Sequence, residues 1–225
     1  MTSAAISPTS LDYRPPVCPW LTVLYLDQDI LVLSKPSGLL SVPGKPAAHR
    51  DSLEVRARER FPDALLVHRL DRETSGIMVM AMNRRAQRHL GLQFERRKLT
   101  KTYIARVWGN VKDEAGIIDL PLATDAANRP KQKVDLEKGR PAITEWSVTA
   151  REGSATRLRL HPHTGRSHQL RVHLMSIGHP ILGDSFYAEG DALAAASRLQ
   201  LHAETLSFRH PADGRHCTFT QACPF

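Results

Sequence analysis

Residues 65–80 read Leu-Leu-Val-His-Arg-Leu-Asp-Arg-Glu-Thr-Ser-Gly-Ile-Met-Val-Met, and this stretch decides how the fold is interpreted. Two apolar runs, 65–67 and 77–80, have the length of buried β-strands. The polar segment between them concentrates charge where the backbone must turn, and loops held between rigid strands are favoured positions for catalytic groups. Asp71 is the short carboxylate of this loop, and the arginines on both sides favour its ionised form. Taken alone, Asp71 is also compatible with a turn or capping role.

Outward from this segment, strand-like runs outnumber helix-like ones. Further strands are predicted near 23–26, 30–33, 103–108, 143–149, 156–160, 199–208 and 216–220. Helices are predicted over 52–60 with Asp51 as the cap, after Asn83, over 167–177 and over 191–198. This pattern indicates an α+β fold with a large mixed or antiparallel sheet flanked by helices and loops. The proline-rich residues 1–19 are predicted to form a flexible arm, and residues 20–225 a single domain.

The composition favours a polyanionic partner. The 225 residues include 31 Lys and Arg against 23 Asp and Glu, a formal charge of +8. Phosphates attract clustered Lys and Arg through counterion release, although a basic protein without a nucleic-acid role has the same balance. Three cysteines without a C-x-x-C pair are typical of a reducing cytoplasm. Because no apolar run reaches the roughly 18 residues of a membrane span, we expect a soluble, cytoplasmic protein. We also expect a monomer, since no self-complementary patch is evident.

A second polar segment, 161–173, combines arginines with histidines. Arg166 and Arg171 flank the predicted helix start, where free backbone N–H groups also attract anions. Either arginine is suited to phosphate binding, and one of them to holding a buried carboxylate ionised by bidentate pairing. Histidines at 161, 163, 168 and 173 also suggest a metal site. However, His168 and His173 do not share a helical face and no H-E-x-x-H pattern is present, so we predict no metal.

Basic residues interleaved with aromatic ones form a third feature. They lie at 96–98 with Lys101 and Tyr103, and again in Asn128-Arg129-Pro130-Lys131-Gln132-Lys133. Phosphate contacts by Lys and Arg, together with stacking of bases on aromatic rings, are the usual components of RNA binding. A solvated charged face is the alternative interpretation.

At His68-Arg69-Leu70-Asp71, followed by Thr74-Ser75-Gly76, the chain resembles the RluA family of pseudouridine synthases. Segments 35–39, 103–105, 165–173 and 178–184 resemble further signatures of that family in the same order, so the resemblance covers about residues 20–222. An ordered set of this kind is far more specific than one short motif. It implies a single pseudouridine-synthase-type domain, here without an S4 RNA-binding domain. Segment 128–134 also resembles the subgroup that modifies one uridine in the tRNA anticodon loop and one in 23S rRNA.

The resemblance implies isomerisation of uridine without metal, nucleotide or redox cofactor. Asp71 corresponds to the family's essential aspartate, and Arg171 to the arginine that pairs with it in a site sheltered from water. Tyr103 would stack on the uracil and help to remove the C5 proton, while Arg69 would fill the space left by the flipped base. The other substrate and RNA contacts implied are His68, an apolar wall of Ile181 and Leu182, and the basic residues Arg129, Lys131, Lys133 and Arg166.

Three other functions remain possible at this stage. A non-catalytic RNA-binding protein or RNA chaperone explains the basic face without requiring Asp71. A glycoside-cleaving enzyme usually needs two acidic residues on opposite sides of the bond, and only Glu73 lies near Asp71 in sequence. A phosphotransferase reading lacks a glycine-rich phosphate loop.

Overall fold

The computed structural model describes residues 13–225 and contains one extended mixed sheet. Its strands and those of a separate two-stranded hairpin are β1 Thr22–Leu26, β2 Ile30–Lys35, β3 Leu65–Leu66, β4 Ser75–Ala81, β5 Thr100–Trp108, β6 Ala115–Asp119, β7 Leu122–Thr124, β8 Gln132–Val134, β9 Ile143–Glu152, β10 Ala155–Pro162, β11 Leu201–Arg209 and β12 His216–Thr220. The helices are α1 Leu53–Arg60, α2 Arg84–Glu95, α3 Gln169–Ser176 and α4 Gly190–Ala194. The predicted α+β class is confirmed.

The sheet order is β1-β2-β4-β11-β5-β10-β9-β6, with β3 added to β4 and β12 added to β11, and the β7–β8 hairpin stands apart. The pairing of β4 with β11 is parallel, whereas the neighbouring pairings are antiparallel. Because β4 and β11 come from distant parts of the chain, this central pairing joins the first half of the chain to the second. Gly76 lies at the crossing with φ +120°, and a Cβ there would meet the Ala203 carbonyl oxygen at 2.2 Å. A glycine is therefore required.

Helices cover both faces of the sheet, as the alternation of buried side chains requires. On β2 and β4, Ile30, Val32, Ile77 and Val79 pack with Ala86 and Leu90 of α2. The alternate residues of the same strands, Leu31, Leu33, Met78 and Met80, pack with Leu53 and Ala57 of α1. A third core joins α3 to β5 and β10 through Leu170, Leu174, Ala105 and Leu158. The loops at the ends of β3, β5 and β10 are thus carried by rigid elements.

Local details differ from the sequence-based expectations in four places. Ser52, not Asp51, caps α1 by accepting the Val55 N–H, and Asp51 instead pairs with the buried Arg56 at 2.6 Å. Asn83 caps α2 as predicted. The helix predicted over 167–177 begins at Gln169, and the one over 191–198 is the short α4. The strands β6, β7 and β8 were not predicted, because they are short and carry Gly, Ala or Lys in place of regular apolar alternation.

The segment before β1 contacts the domain from Tyr13 onward. The Tyr13 hydroxyl donates to the Asp51 carbonyl oxygen at 2.8 Å, and Arg56 donates to the Pro16 carbonyl oxygen and stacks on Trp20. Residues 1–12 of the predicted arm lie outside the described residues. No helix within 13–225 combines the length and the apolar character needed to cross a membrane.

Candidate active site

The loop between β3 and β4 forms one wall of a cleft of about 880 Å³. The opposite wall comes from residues 162–171, which join β10 to α3, and the floor includes Tyr103 at the start of β5. Pro130, at the tip of the β7–β8 hairpin, reaches one end of the cleft. The three segments that the sequence marks out for chemistry therefore meet in one place.

Asp71 faces this cleft with its side chain 29% exposed. The loop around it is fixed on both sides. Ser41 donates its hydroxyl proton to the Leu70 carbonyl oxygen at 2.6 Å and accepts the Leu70 N–H at 3.0 Å. The fully buried Lys35 donates to the Arg72 carbonyl oxygen at 2.8 Å, and to two further carbonyl oxygens in the 36–39 loop. The backbone on each side of Asp71 is therefore held by buried polar groups, which orients the carboxylate.

Arg171 contacts Asp71 as the sequence predicts, but Asp71 is not its main partner. The Arg171 guanidinium binds the carboxylate of Asp184 in a bidentate manner, at 2.8 and 2.7 Å, and only Nη1 approaches Asp71, at 3.4 Å. Arg171 and Asp184 are almost completely buried. Burial acts to lower the pKa of Arg171, but the hydrogen bonds and charge of Asp184, with a smaller contribution from Asp71, raise it above its ordinary value. The guanidinium stays charged and places a positive charge beside Asp71.

Tyr103 lies across the cleft floor, half-buried at the start of β5. Burial first, and the negative charge of Asp71 second, raise the pKa of Tyr103 well above its ordinary value. Tyr103 is therefore a neutral phenol at neutral pH. A neutral ring at this position is suited to stacking on a base, and its ionisation beside Asp71 is disfavoured.

His68 and Arg69 are neighbours in sequence but differ in environment. The His68 ring stacks on Phe94 at 4.4 Å, and its Nε2 accepts the Val79 N–H at 3.1 Å. Burial, with the charge of Lys101, lowers the pKa of His68 to about 3, so this ring is neutral and supports the loop from below. Arg69 is exposed along the cleft, and no ion pair ties it down within the described part of the chain.

Ile181 and Leu182 do not form the apolar wall that the resemblance implies. Both side chains are buried, at 0% and 2% exposure, and neither reaches the cleft. Ile181 pairs with Val107 in an isolated bridge, and the Leu182 N–H donates to Arg106, so both belong to the core behind β5. The apolar lining comes instead from other residues, which include Leu70, Phe94, Leu170, Phe186 and Leu201.

Of the predicted basic residues, Arg166 lines the cleft, and Arg129, Lys131 and Lys133 lie next to Pro130, which also lines it. Arg129 and Lys133 are exposed on the β7–β8 hairpin, and Lys131 is partly exposed beside them. Arg166 donates to the Pro141 carbonyl oxygen at 3.1 Å. Burial, with the charges of Arg140 and Arg97, lowers the pKa of Arg166, which marks a second group of clustered cations.

Histidines at 161–173 do not converge. His161 and His173 contact threonine hydroxyls, His163 contacts Glu145, and His168 contacts Tyr187. Across residues 13–225, three or more His, Cys, Asp or Glu side chains do not come together in a way that could hold a metal ion.

Sequence reasoning missed four residues of this site: Lys35, Asp184, Phe186 and Tyr187. Lys35 and Asp184 lie in segments that carry the family resemblance, but nothing local in their sequence indicates burial or a partner. Phe186 and Tyr187 place their rings 5.0 and 5.1 Å from the Arg171 guanidinium. The Gly183-Asp184 turn was the available signal, because Asp184 accepts the Phe186 and Tyr187 N–H groups.

Comparisons with known proteins identify the family to which this chain belongs. The family described as RNA pseudouridylate synthase matches residues 29–176. The dual-specificity RNA pseudouridine synthase RluA of Salmonella typhi is 53% identical over 95% of this chain and 98% of its own, and that of Escherichia coli K12 is 52% identical over the same shares. Among solved structures, human RNA pseudouridylate synthase domain containing 1 is similar, with a TM-score of 0.77 and 28% identity over 91% of this chain and 84% of that one. The chain belongs to the RNA pseudouridylate synthase family, whose members are isomerases acting on RNA.

Proposed function

We propose that this protein converts uridine to pseudouridine in the tRNA anticodon stem-loop and in 23S rRNA, with Asp71 as the reacting carboxylate. The observation that carries the proposal is a carboxylate exposed to the cleft with a buried, permanently charged arginine 3.4 Å away. The curated relatives are named as dual-specificity enzymes, which supports two RNA substrates for this chain as well.

The reaction is an isomerisation, so its atoms balance without a second substrate. The bond between uracil N1 and ribose C1′ breaks, the base turns, and a bond from C5 to C1′ forms while the C5 proton leaves and N1 gains one. Asp71 acts unprotonated, either by adding to the sugar or base or by taking a sugar proton to give a glycal. Arg171 favours the ionised carboxylate, because an opposite charge at this distance stabilises the charged form.

A uridine in a folded loop must leave its stack to reach Asp71, as other base-modifying enzymes require. Arg69 is exposed at the cleft mouth and is suited to occupy the space that the base leaves. Tyr103 offers the neutral ring on which the extruded uracil stacks. Because burial and the charge of Asp71 disfavour ionisation of Tyr103, we give stacking as its main role and the removal of the C5 proton as the lesser one. His68 supports the loop from beneath.

The basic residues of the β7–β8 hairpin and Arg166 support RNA docking through phosphates. Arg129, Lys131 and Lys133 lie next to Pro130, which lines the cleft, and Arg166 lines the cleft itself, so both groups are available to the phosphates of an RNA loop seated there. Such contacts position an RNA without reading its sequence.

We further propose that residues 20–225 act as one catalytic domain, as a monomer in the cytoplasm.

The competing functions explain less of the site. The carboxylate of Glu73 is bound by Arg72 at 2.6 Å and contacts Ser37, which leaves it poorly placed to act with Asp71 on a glycosidic bond. Binding of RNA alone does not require the Asp71 carboxylate.

The proposed function is tested by tritium release from RNA labelled at uridine C5. An unmodified anticodon stem-loop and a 23S rRNA fragment are each incubated with the protein, and the modified position is mapped. We expect release from both RNAs at a single uridine each. Binding of both RNAs without any release would overturn the proposal in favour of an RNA-binding protein.

A further inference from the structure

His168 lines the cleft and Tyr187 lies buried behind it, and together these side chains connect the β7–β8 hairpin to Asp71. The Tyr187 hydroxyl oxygen accepts the backbone N–H of Gln132, the first residue of β8, at 2.8 Å. The same oxygen lies 2.6 Å from His168 Nδ1. On the other side of the ring, His168 Nε2 lies 4.0 Å from Asp71 Oδ2. These contacts form one line of neighbouring groups, from the Gln132 N–H through Tyr187 and His168 to the Asp71 carboxylate.

The hydrogen bond from Gln132 favours one direction of hydrogen bonding along this line. A backbone N–H can only donate, so the Tyr187 oxygen accepts there and its own proton is free for His168 Nδ1. Burial raises the pKa of Tyr187 to about 12, so the hydroxyl keeps that proton. A neutral imidazole that accepts at Nδ1 carries its proton on Nε2. That Nε2–H is the group that faces Asp71.

The opposite tautomer is disfavoured at both ends of the line. It would turn an Nε2 lone pair toward the Asp71 carboxylate, and it would leave the Tyr187 proton without an acceptor anywhere in residues 13–225. Burial lowers the pKa of His168, which keeps the ring neutral at neutral pH, although the Asp71 charge opposes this. His168 thus presents one N–H to the carboxylate.

The backbone conformation at His168 also indicates that the surrounding structure constrains this residue. His168 has φ +53°, the left-handed region that side chains with a Cβ rarely adopt, and α3 begins at the next residue. Strain of this kind persists where the surrounding structure enforces it, often in active sites. Here the Tyr187 ring, which also packs 5.1 Å from the Arg171 guanidinium, encloses the histidine edge-on.

We propose that Tyr187 and His168 are positioning residues that hold a proton donor against Asp71, and that the hairpin at Gln132 anchors them. The inference rests on the proposed function and deepens it. The gap of 4.0 Å is about 1 Å too long for a hydrogen bond. Catalytic hydrogen bonds often tighten only in the complex. We expect RNA bound to the β7–β8 hairpin to shorten the distance between His168 Nε2 and Asp71 Oδ2. The Asp71 carboxylate would then be fully oriented only in the complex with the substrate.

Two substitutions of His168 separate this role from a structural one. Asparagine places its amide near the former Nδ1, keeps the contact with Tyr187 and tolerates the left-handed backbone well. Glutamine places its amide nitrogen near the former Nε2, so it can donate to Asp71, but it loses Tyr187 and suits the backbone less. We expect His168→Gln to keep the single-turnover rate of tritium release within about threefold, and His168→Asn to lose about tenfold, with RNA affinity unchanged in both. The reverse order, with asparagine the faster variant, would overturn the proposal.

The tyrosine supplies an independent test. Tyr187→Phe keeps the ring and removes only the hydroxyl, and we expect the single-turnover rate to fall about fivefold without a change in RNA affinity. Tyr25→Phe is the matched control, because it removes a hydroxyl bonded to Asp27 far from the cleft and should leave the rate unchanged. Adding Tyr187→Phe to His168→Asn should cost nothing further, since residues of one line are not additive.

Equal rates for Tyr187→Phe and Tyr25→Phe would refute the coupling to the hairpin. The wild-type protein in the same assay separates this inference from the proposed function. Wild-type turnover with unaffected variants would remove the inference alone, whereas absence of wild-type turnover would remove both.

Discussion

The buried pair of Arg171 and Asp184 offers a test in which the effect of burial can be separated from that of distance. Asp184 is 0% exposed and lies 2.7 Å from Arg171 Nη2. The surface pair of Arg151 and Glu114 has the same N–O distance, 2.7 Å, but Glu114 is 76% exposed. Changing each acid to its amide, Asp184→Asn and Glu114→Gln, removes one negative charge with almost no change in shape.

The expected losses of unfolding free energy differ severalfold. Removing one partner of a buried ion pair leaves the other charge uncompensated and costs about 3–5 kcal/mol. Asparagine retains an oxygen for the Phe186 and Tyr187 N–H groups, and Asp71 still lies 3.4 Å from Arg171, so we expect the lower end, about 3 kcal/mol, for Asp184→Asn. An exposed pair contributes below about 1 kcal/mol, so Glu114→Gln should lose no more than that.

Urea denaturation at neutral pH, followed by circular dichroism, measures both values, and an unchanged m-value ensures that the losses compare like with like. Asp184→Asn should also lower turnover of RNA, because Arg171 is then free to move relative to Asp71. Equal losses of stability in the two variants would refute the reasoning that Asp184 holds a buried charge in place.

Three further predictions concern stability and RNA binding. Burial lowers the pKa of Lys35 to about 7. Between about pH 7 and about pH 10 the folded chain therefore binds fewer protons than the unfolded chain. The free energy of unfolding should then rise with pH, by up to about 1.4 kcal/mol per pH unit. Lys35→Met should flatten that rise in urea titrations, and an undiminished slope would contradict the assignment. Gly76→Ala should lower stability by about 3 kcal/mol, because its Cβ would meet the Ala203 backbone, and a melting temperature equal to wild type would argue against this close approach. Lys131→Ala should reduce the slope of the logarithm of RNA affinity against the logarithm of salt concentration by about 0.7–0.9. Lys112→Ala is the control, because Lys112 is exposed and does not line the cleft, and it should leave the slope unchanged. Identical slopes for the two variants would exclude a phosphate contact at Lys131.

Much of the fold was predictable because its central strands are strongly apolar. The runs around 30–33 and 77–80 bury nearly every side chain, so both faces of these strands are covered, and the Asn83 cap marks the start of α2 without ambiguity. The short strands β6 to β8 were not predictable in the same way. Their pairing depends on partners distant in sequence, and their own residues carry little apolar pattern.

The candidate active site was likewise only partly predictable from the sequence. The proximity of Asp71 and Arg171 was expected from the family resemblance, because both residues stand in distinctive motifs. The bidentate partner Asp184 was not assigned a role, since a contact between α3 and the following turn is visible only in three dimensions. Ile181 and Leu182 show the converse error: two apolar residues beside a recognisable turn do not reveal which way their side chains point. Here both point into the core.

The central claim, that Asp71 is the reacting carboxylate, is tested most directly by tritium release from a C5-labelled anticodon stem-loop under single-turnover conditions. Wild type, Asp71→Asn and Glu73→Gln are compared at saturating protein, with RNA binding measured in parallel. Glu73 is the matched control, because it is the other carboxylate of the same loop and is held by Arg72. We predict that Asp71→Asn binds the RNA but releases no tritium, while Glu73→Gln retains most of the wild-type rate. Release by Asp71→Asn at a rate near that of wild type would contradict the claim.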